Sequence, residues 1–177
     1  INYMPQINIH KAYIKFDNHS YVTVENFKSQ LNNNAIESTF LAKVKIPYVK
    51  DVILIGQEGK IIYPENHKFY IDNLSIQLGT SKLFTNGNLQ SLSFAGKNLS
   101  IGELEKSFLY FYKLKHPKKK NFIENFHNMT GQTDVNLMLT KDGLVGNCLA
   151  KNLNALFFDY KIPISLPITK FVFTGRE

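Results

Sequence analysis

Ala35-Ile36-Glu37-Ser38-Thr39-Phe40-Leu41-Ala42-Lys43-Val44-Lys45-Ile46-Pro47 alternates with a period of two, with Ile36, Ser38, Phe40, Ala42, Val44 and Ile46 on one face and Glu37, Thr39, Leu41, Lys43 and Lys45 on the other. Side chains of a strand point alternately to its two sides, so this stretch reads as an antiparallel strand with one apolar face and one face in water. Working outward, the same period covers about residues 6–17, 21–31, 49–55, 60–63, 68–78, 82–94, 133–140, 144–150, 153–160 and 166–174. Asn32-Asn33-Asn34, Gly56-Gln57-Glu58-Gly59, Gly79-Thr80-Ser81 and Lys141-Asp142-Gly143 separate these runs with residues suited to tight turns. A meander of hairpins is the expected topology.

Two of the runs nearly repeat: Val24-Glu25-Asn26-Phe27-Lys28-Ser29-Gln30-Leu31 and Ile71-Asp72-Asn73-Leu74-Ser75-Ile76-Gln77-Leu78. In each, the alternation slips phase at the acidic-Asn pair, as a β-bulge makes it do. Asn26 and Asn73 are therefore expected at equivalent bulges in two similarly oriented strands. One segment leaves the period of two. Ile101, Leu104, Phe108, Leu109, Phe111 and Tyr112 fall at helical spacing, with Ser100 placed to cap and Glu103 as its capping-box partner. This predicts a helix to about Lys115, ending before Pro117. A second short helix is expected over residues 119–128, so that a two-helix insert at about 101–128 interrupts a mainly β chain.

The chain has 177 residues, 44% of them hydrophobic and 20% charged, enough for one domain with a sizeable core. It reads as a single β-rich segment, with a first repeat-like unit at 1–65 and a second, carrying the helical insert, at 66–177. Starting at Ile1 without a methionine, it is expected to be a piece of a longer repeat protein. No apolar run reaches the roughly 20 residues that span a bilayer. The net charge of +7 permits attraction to anionic lipid or nucleic acid. No nucleic-acid motif or aromatic platform accompanies the lysines, so no nucleic-acid partner is expected. Cys148, in an alternating run with Leu144, Gly146 and Ala150, fits as a small buried hydrophobe. His10, His19, His67, His116 and His127 are scattered without metal-ligand spacing, and no nucleophile elbow, phosphate loop or dinucleotide fingerprint occurs. The expectation is a non-enzyme with no cofactor and no metal. Asn-x-Ser/Thr triplets begin at Asn18, Asn73, Asn98 and Asn128, as chance would produce in an Asn-rich chain.

The pattern Phe69-x-Ile71-Asp72-Asn73-Leu74-x-Ile76-x-Leu78-Gly79-x-Ser81-x-Leu83-x-x-x-Gly87-x-Leu89, followed by Phe94-x-Gly96-Lys97-Asn98-Leu99-x-Ile101-x-x-Leu104, resembles the AsmA-like proteins of bacterial envelopes, of the YhdP and TamB type. Gly131-x-Thr133-x-Val135-x-Leu137-x-Leu139-x-x-x-Gly143-Leu144-x-Gly146 with Lys151-Asn152-Leu153 is similar to the strands after that family's short helix. About residues 66–177 carry the resemblance, and 18–46 support it. It implies a groove-shaped antiparallel sheet in the periplasm, anchored to the bacterial inner membrane by a segment outside this chain. Its implied role is phospholipid transfer toward the outer membrane, with glycerophospholipid acyl chains as partner.

An apolar sheet face left uncovered by protein could be covered by acyl chains, each buried methylene adding about 0.8 kcal/mol. The residues expected to face such a groove are Ile36, Phe40, Val44, Ile71, Ile76, Val135, Leu137 and Leu139. Lys118, Lys119 and Lys120 are the candidates for contact with headgroups. The alternative is a structural or adhesive β-domain whose apolar face is sealed by the helices.

Overall fold

The computed structural model of the protein describes residues 6–47, 49–64, 68–157 and 159–175. The expected boundary at residues 65 and 66, and His67, lie outside them. Among the described residues the chain is mainly β: one antiparallel sheet of 11 strands with one α-helix. Its strands are β1 Ile7–Lys15, β2 Tyr21–Asn32, β3 Ala35–Lys45, β4 Ile53–Ile55, β5 Lys60–Pro64, β6 Tyr70–Leu78, β7 Ser81–Asn88, β8 Ser91–Ser100, β9 Phe126–Thr140, β10 Gly143–Phe157 and β11 Ile162–Thr174. Spatial order follows sequence order, except that β5 lies off this path and pairs with β3 and β6.

Several boundaries differ from the sequence reading, each for a local reason. The residues between Ile55 and Lys60 do not form a hairpin. β4 and β5 both pair antiparallel with β3 on one side and β6 on the other, so they are two halves of one interrupted strand. The intervening loop docks on Ser75 instead, whose N–H donates to the Glu58 carbonyl (2.9 Å) while its own carbonyl accepts from Gly56 N–H (2.8 Å). The Ser75 hydroxyl also accepts from Glu58 N–H (2.9 Å). The run at 82–94 is two strands, because the Asn88 side chain accepts from the N–H groups of Gln90 and Ser91 and closes a turn there. Conversely, the runs at 144–150 and 153–160 join as β10 across an internal bulge.

The insert contains α1, Ile101–Lys115, as expected, but no second α-helix; only a 3-10 turn, Phe122–Asn125, precedes β9. A full capping box of Asn121 and Glu124 holds that turn, and β9 pairs with β10 from Phe126 onward. At the start of α1, Ser100 Oγ accepts from Glu103 N–H (3.4 Å), but Glu103 does not complete a box. Its carboxylate accepts from Ser81 Oγ (2.6 Å), and Ser81 Oγ in turn accepts from Ser100 N–H (2.7 Å). The helix start is thus tied to the β6–β7 turn.

Bulges occur at both repeated sites: Asn26 and Asn73 take φ of 53° and 49°, and the register shifts beside each. The two strands are not similarly oriented. An odd number of antiparallel steps separates β2 from β6, so they run in opposite directions. The same device recurs at Asn98, Asn128 and Asn152, with φ of 53°, 54° and 51°. In each case a left-handed Asn is followed by a large apolar residue: Phe27, Leu74, Leu99, Met129 or Leu153. Asn tolerates this backbone region because its short amide can bond locally. The residue opposite can satisfy the bulged N–H, since Asn86 Oδ1 accepts from Asn73 (2.7 Å) and Asp134 Oδ1 from Asn98 (2.8 Å). The bulge accounts for the Asn of the triplets at Asn73, Asn98 and Asn128 but not for their Ser or Thr, since Asn26 and Asn152 are followed at that place by Lys28 and Asn154. Asn98→Gly is expected to leave thermal stability nearly unchanged, whereas Asn98→Val should lose about 1–2 kcal/mol, because a β-branched residue strains in this conformation. Equal unfolding midpoints for the two variants would contradict the assignment.

The core sits where α1 meets the sheet. Ile46, Val49, Ile53 and Leu78 are buried there, with Val44, Ile55, Ile76 and Tyr110 packed against them. A second cluster joins Ile101 to Ala150 and Leu153, with Met129 beside it. Fully burying a side chain of this size stabilises by about 1.5–3 kcal/mol.

Candidate functional site

Directly paired residues of neighbouring strands project to the same side of a sheet, so the registers show which side chains share a face. Ile36 lies opposite Tyr63, and Val44 opposite Ile53, which in turn pairs with Leu78. Ile71 lies opposite Ile61 and Gly87; Ile76 opposite Ile55 and Leu83. Across the sheet, Val135 pairs with Gly96 and Cys148, Leu137 with Phe94 and Gly146, and Leu139 with Leu92 and Leu144. Together with Phe40, on the same side of β3 as Ile36 and Val44, all eight expected residues fall on one mainly apolar face, interrupted by hydroxyls such as those of Ser38 and Thr85. None of the eight is fully buried, and Leu139 is 47% exposed.

Only part of that face meets the helix. Val44 and Ile76 adjoin the cluster contacted by Tyr110, while α1 otherwise packs along β9 and the end of β8. The registers also add Leu83, Leu92, Phe94, Leu144 and Phe171 to the face, residues that the sequence reading did not assign. For Leu83, Leu92 and Phe94 the signal was present as the reversal of alternation across Leu89-Gln90, hidden by reading 82–94 as one strand. Cys148 sits on this face between Val135 and Phe171, and burial raises its thiol pKa, as suits a packed side chain.

The opposite face carries ion pairs: Glu25 with Lys43 (2.8 Å), Glu37 with Lys60 (2.8 Å), Asp134 with Lys151 (2.6 Å), and Glu58 with Lys82. Hydrogen bonds from their lysines hold the Glu25, Glu37 and Asp134 carboxyls below their ordinary pKa. A depressed carboxyl pKa stabilises the fold above the unfolded value of about 4, and that contribution is lost as pH falls through the folded pKa. Glu105 on α1 behaves oppositely, since burial raises its pKa. Its proton is held more tightly in the folded chain, so stability falls as pH rises from about 4 through the folded pKa. Glu105→Gln should therefore raise the unfolding midpoint at pH 7 and lose that advantage near pH 4, which thermal melts across pH can read.

The lysines expected at headgroups lie together between α1 and the 3-10 turn, all three exposed. Lys113 fastens this loop, its Nζ bonding both Glu124 Oε1 (2.9 Å) and the Lys119 carbonyl (2.8 Å). Among the described residues no group of His, Cys, Asp and Glu could hold a metal ion. No described helix is long and apolar enough to cross a membrane, which says nothing of crossing by strands. The chain matches no family model, no curated protein and no solved structure.

Proposed function

We propose that this chain is a non-enzymatic lipid-handling module whose apolar sheet face accepts glycerophospholipid acyl chains. In this reading it belongs to an AsmA-like periplasmic protein, anchored to the bacterial inner membrane, that supports phospholipid transfer to the outer membrane. The carrying observation is the apolar face that runs in register from β2 to β10, with α1 packed at one end of it.

Curvature supports the same reading. Ile101 packs on Ala150 and Leu153 of β10, while the Tyr110 hydroxyl lies 3.0 Å from Ser20 Oγ, just before β2. At about 4.8 Å per strand step, β2 and β10 are on the order of 34 Å apart along the sheet. The helix rises only about 14 Å between Ile101 and Tyr110, and the two side chains together add about 10 Å. A sheet curled around the helix reconciles these lengths. Such a trough favours acyl chains over a flat protein partner.

Photo-crosslinking residues at Ile36, Val44 and Leu139 test the proposal, because they report contact without charging the face. Lipid adducts in an envelope extract are the expected outcome. Phe40→Asp and Leu137→Asp should abolish co-purifying lipid in protein that circular dichroism shows to be folded, since a charge set against an acyl chain is strongly penalised. Folded probe variants that capture no lipid would favour a sealed structural or adhesive domain.

A further inference from the structure

Where Tyr110 turns to the sheet, Phe108, Phe111 and Leu114 of α1 remain 45%, 49% and 64% exposed. They recur every third residue and so occupy an arc of about 120° on the helix surface. Phe122, opening the 3-10 turn, is 68% exposed. Exposed Lys118, Lys119 and Lys120 lie between these two apolar groups in the chain, on a loop that Lys113 ties to the helix. We propose that this insert docks on an anionic bilayer surface, with the aromatic and leucine side chains entering the acyl boundary and the three lysines meeting headgroup phosphates.

The composition of the patch selects this occupant. Exposed Phe and Leu beside lysines is the pattern of an interfacial helix, where the lysine stems follow the apolar layer and their ammonium groups reach the phosphates. No acidic residue stands between His116 and Asn121, so the three lysines present an unbroken positive charge to an anionic surface. The docking stands apart from the acyl-chain reading of the sheet face, because surface insertion needs no groove.

The chain contains no Trp, so Phe111→Trp or Phe122→Trp installs a single emitter. Each variant should shift its emission to the blue with vesicles of phosphatidylcholine and phosphatidylglycerol, and much less with phosphatidylcholine alone. Adding Lys118→Gln, Lys119→Gln and Lys120→Gln should weaken partitioning on the order of a hundredfold. Leu89→Trp, at an 86% exposed position in the turn between β7 and β8, should not respond. Absence of a shift at both insert positions, equal shifts on neutral vesicles, or an equal response at Leu89→Trp would overturn the proposal. Folded Phe40→Asp and Leu137→Asp variants should keep this vesicle binding even where they lose co-purifying lipid. Loss of both would place membrane contact on the sheet face and overturn the insert's role.

Discussion

Leu99→Ala is expected to destabilise the protein by about 2–5 kcal/mol, the range for a buried leucine whose cavity closes only in part. Leu99 is 0% exposed, and it follows the Asn98 bulge directly before the cap of α1. Its surroundings are poorly placed to relax. The backbone around it is fixed by the bond from Asn98 N–H to Asp134 and by that from Ser100 N–H to Ser81. A domain of this kind has about 5–15 kcal/mol of total stability, so the loss is a large fraction of it. Urea unfolding should give a lower midpoint with an unchanged slope, and a loss under about 1 kcal/mol would mean that Leu99 is not a packing centre.

Gly59→Ala should be comparably severe, at about 3 kcal/mol or more, through backbone collision rather than a void. Gly59 has φ of 88°, and a Cβ there would lie 2.2 Å from the Asn73 carbonyl oxygen and 2.5 Å from the Leu74 Cα. Those atoms belong to the β6 bulge and cannot rotate away. Gly79 makes a useful comparison: its added Cβ would first meet the Glu103 carboxylate, a side chain that can move. Gly79→Ala is thus expected to unfold at higher urea than Gly59→Ala, and the reverse order would refute the backbone argument.

Much of the sheet could be read from residues because one face is apolar and the period of two survives along most strands. The helix was equally plain, since Ile101, Leu104, Phe108 and Tyr112 break that period in a short window. What escaped were decisions made by partners distant in sequence. The glycines around Gln57-Glu58 have ordinary hairpin chemistry, yet Ser75 and the two flanking strands hold the loop as an interruption within one strand. Phe122, Ile123 and Phe126 have helical spacing, but β10 recruits Phe126 into β9. The face itself was legible in Ile36, Phe40, Val44 and the other five residues. The exposed Phe108, Phe111 and Leu114 were not, because spacing alone does not tell which side of a helix the sheet covers.

The near agreement of strand order with chain order also shapes how the molecule should open. Each interior strand is held on both sides by near neighbours in sequence, with β4 and β5 together filling one place between β3 and β6, whereas among the described residues β1 and β11 are each held along one side only. Amide hydrogen exchange should therefore be graded, fastest in the two outer strands and slowest from β6 through β9, where the helix fastens the sheet. Fraying of β11 need not propagate to β1, because no contact that closes β1 on β2 depends on it. Unfolding would then proceed by peeling from the edges, with the segment around α1 the last to exchange.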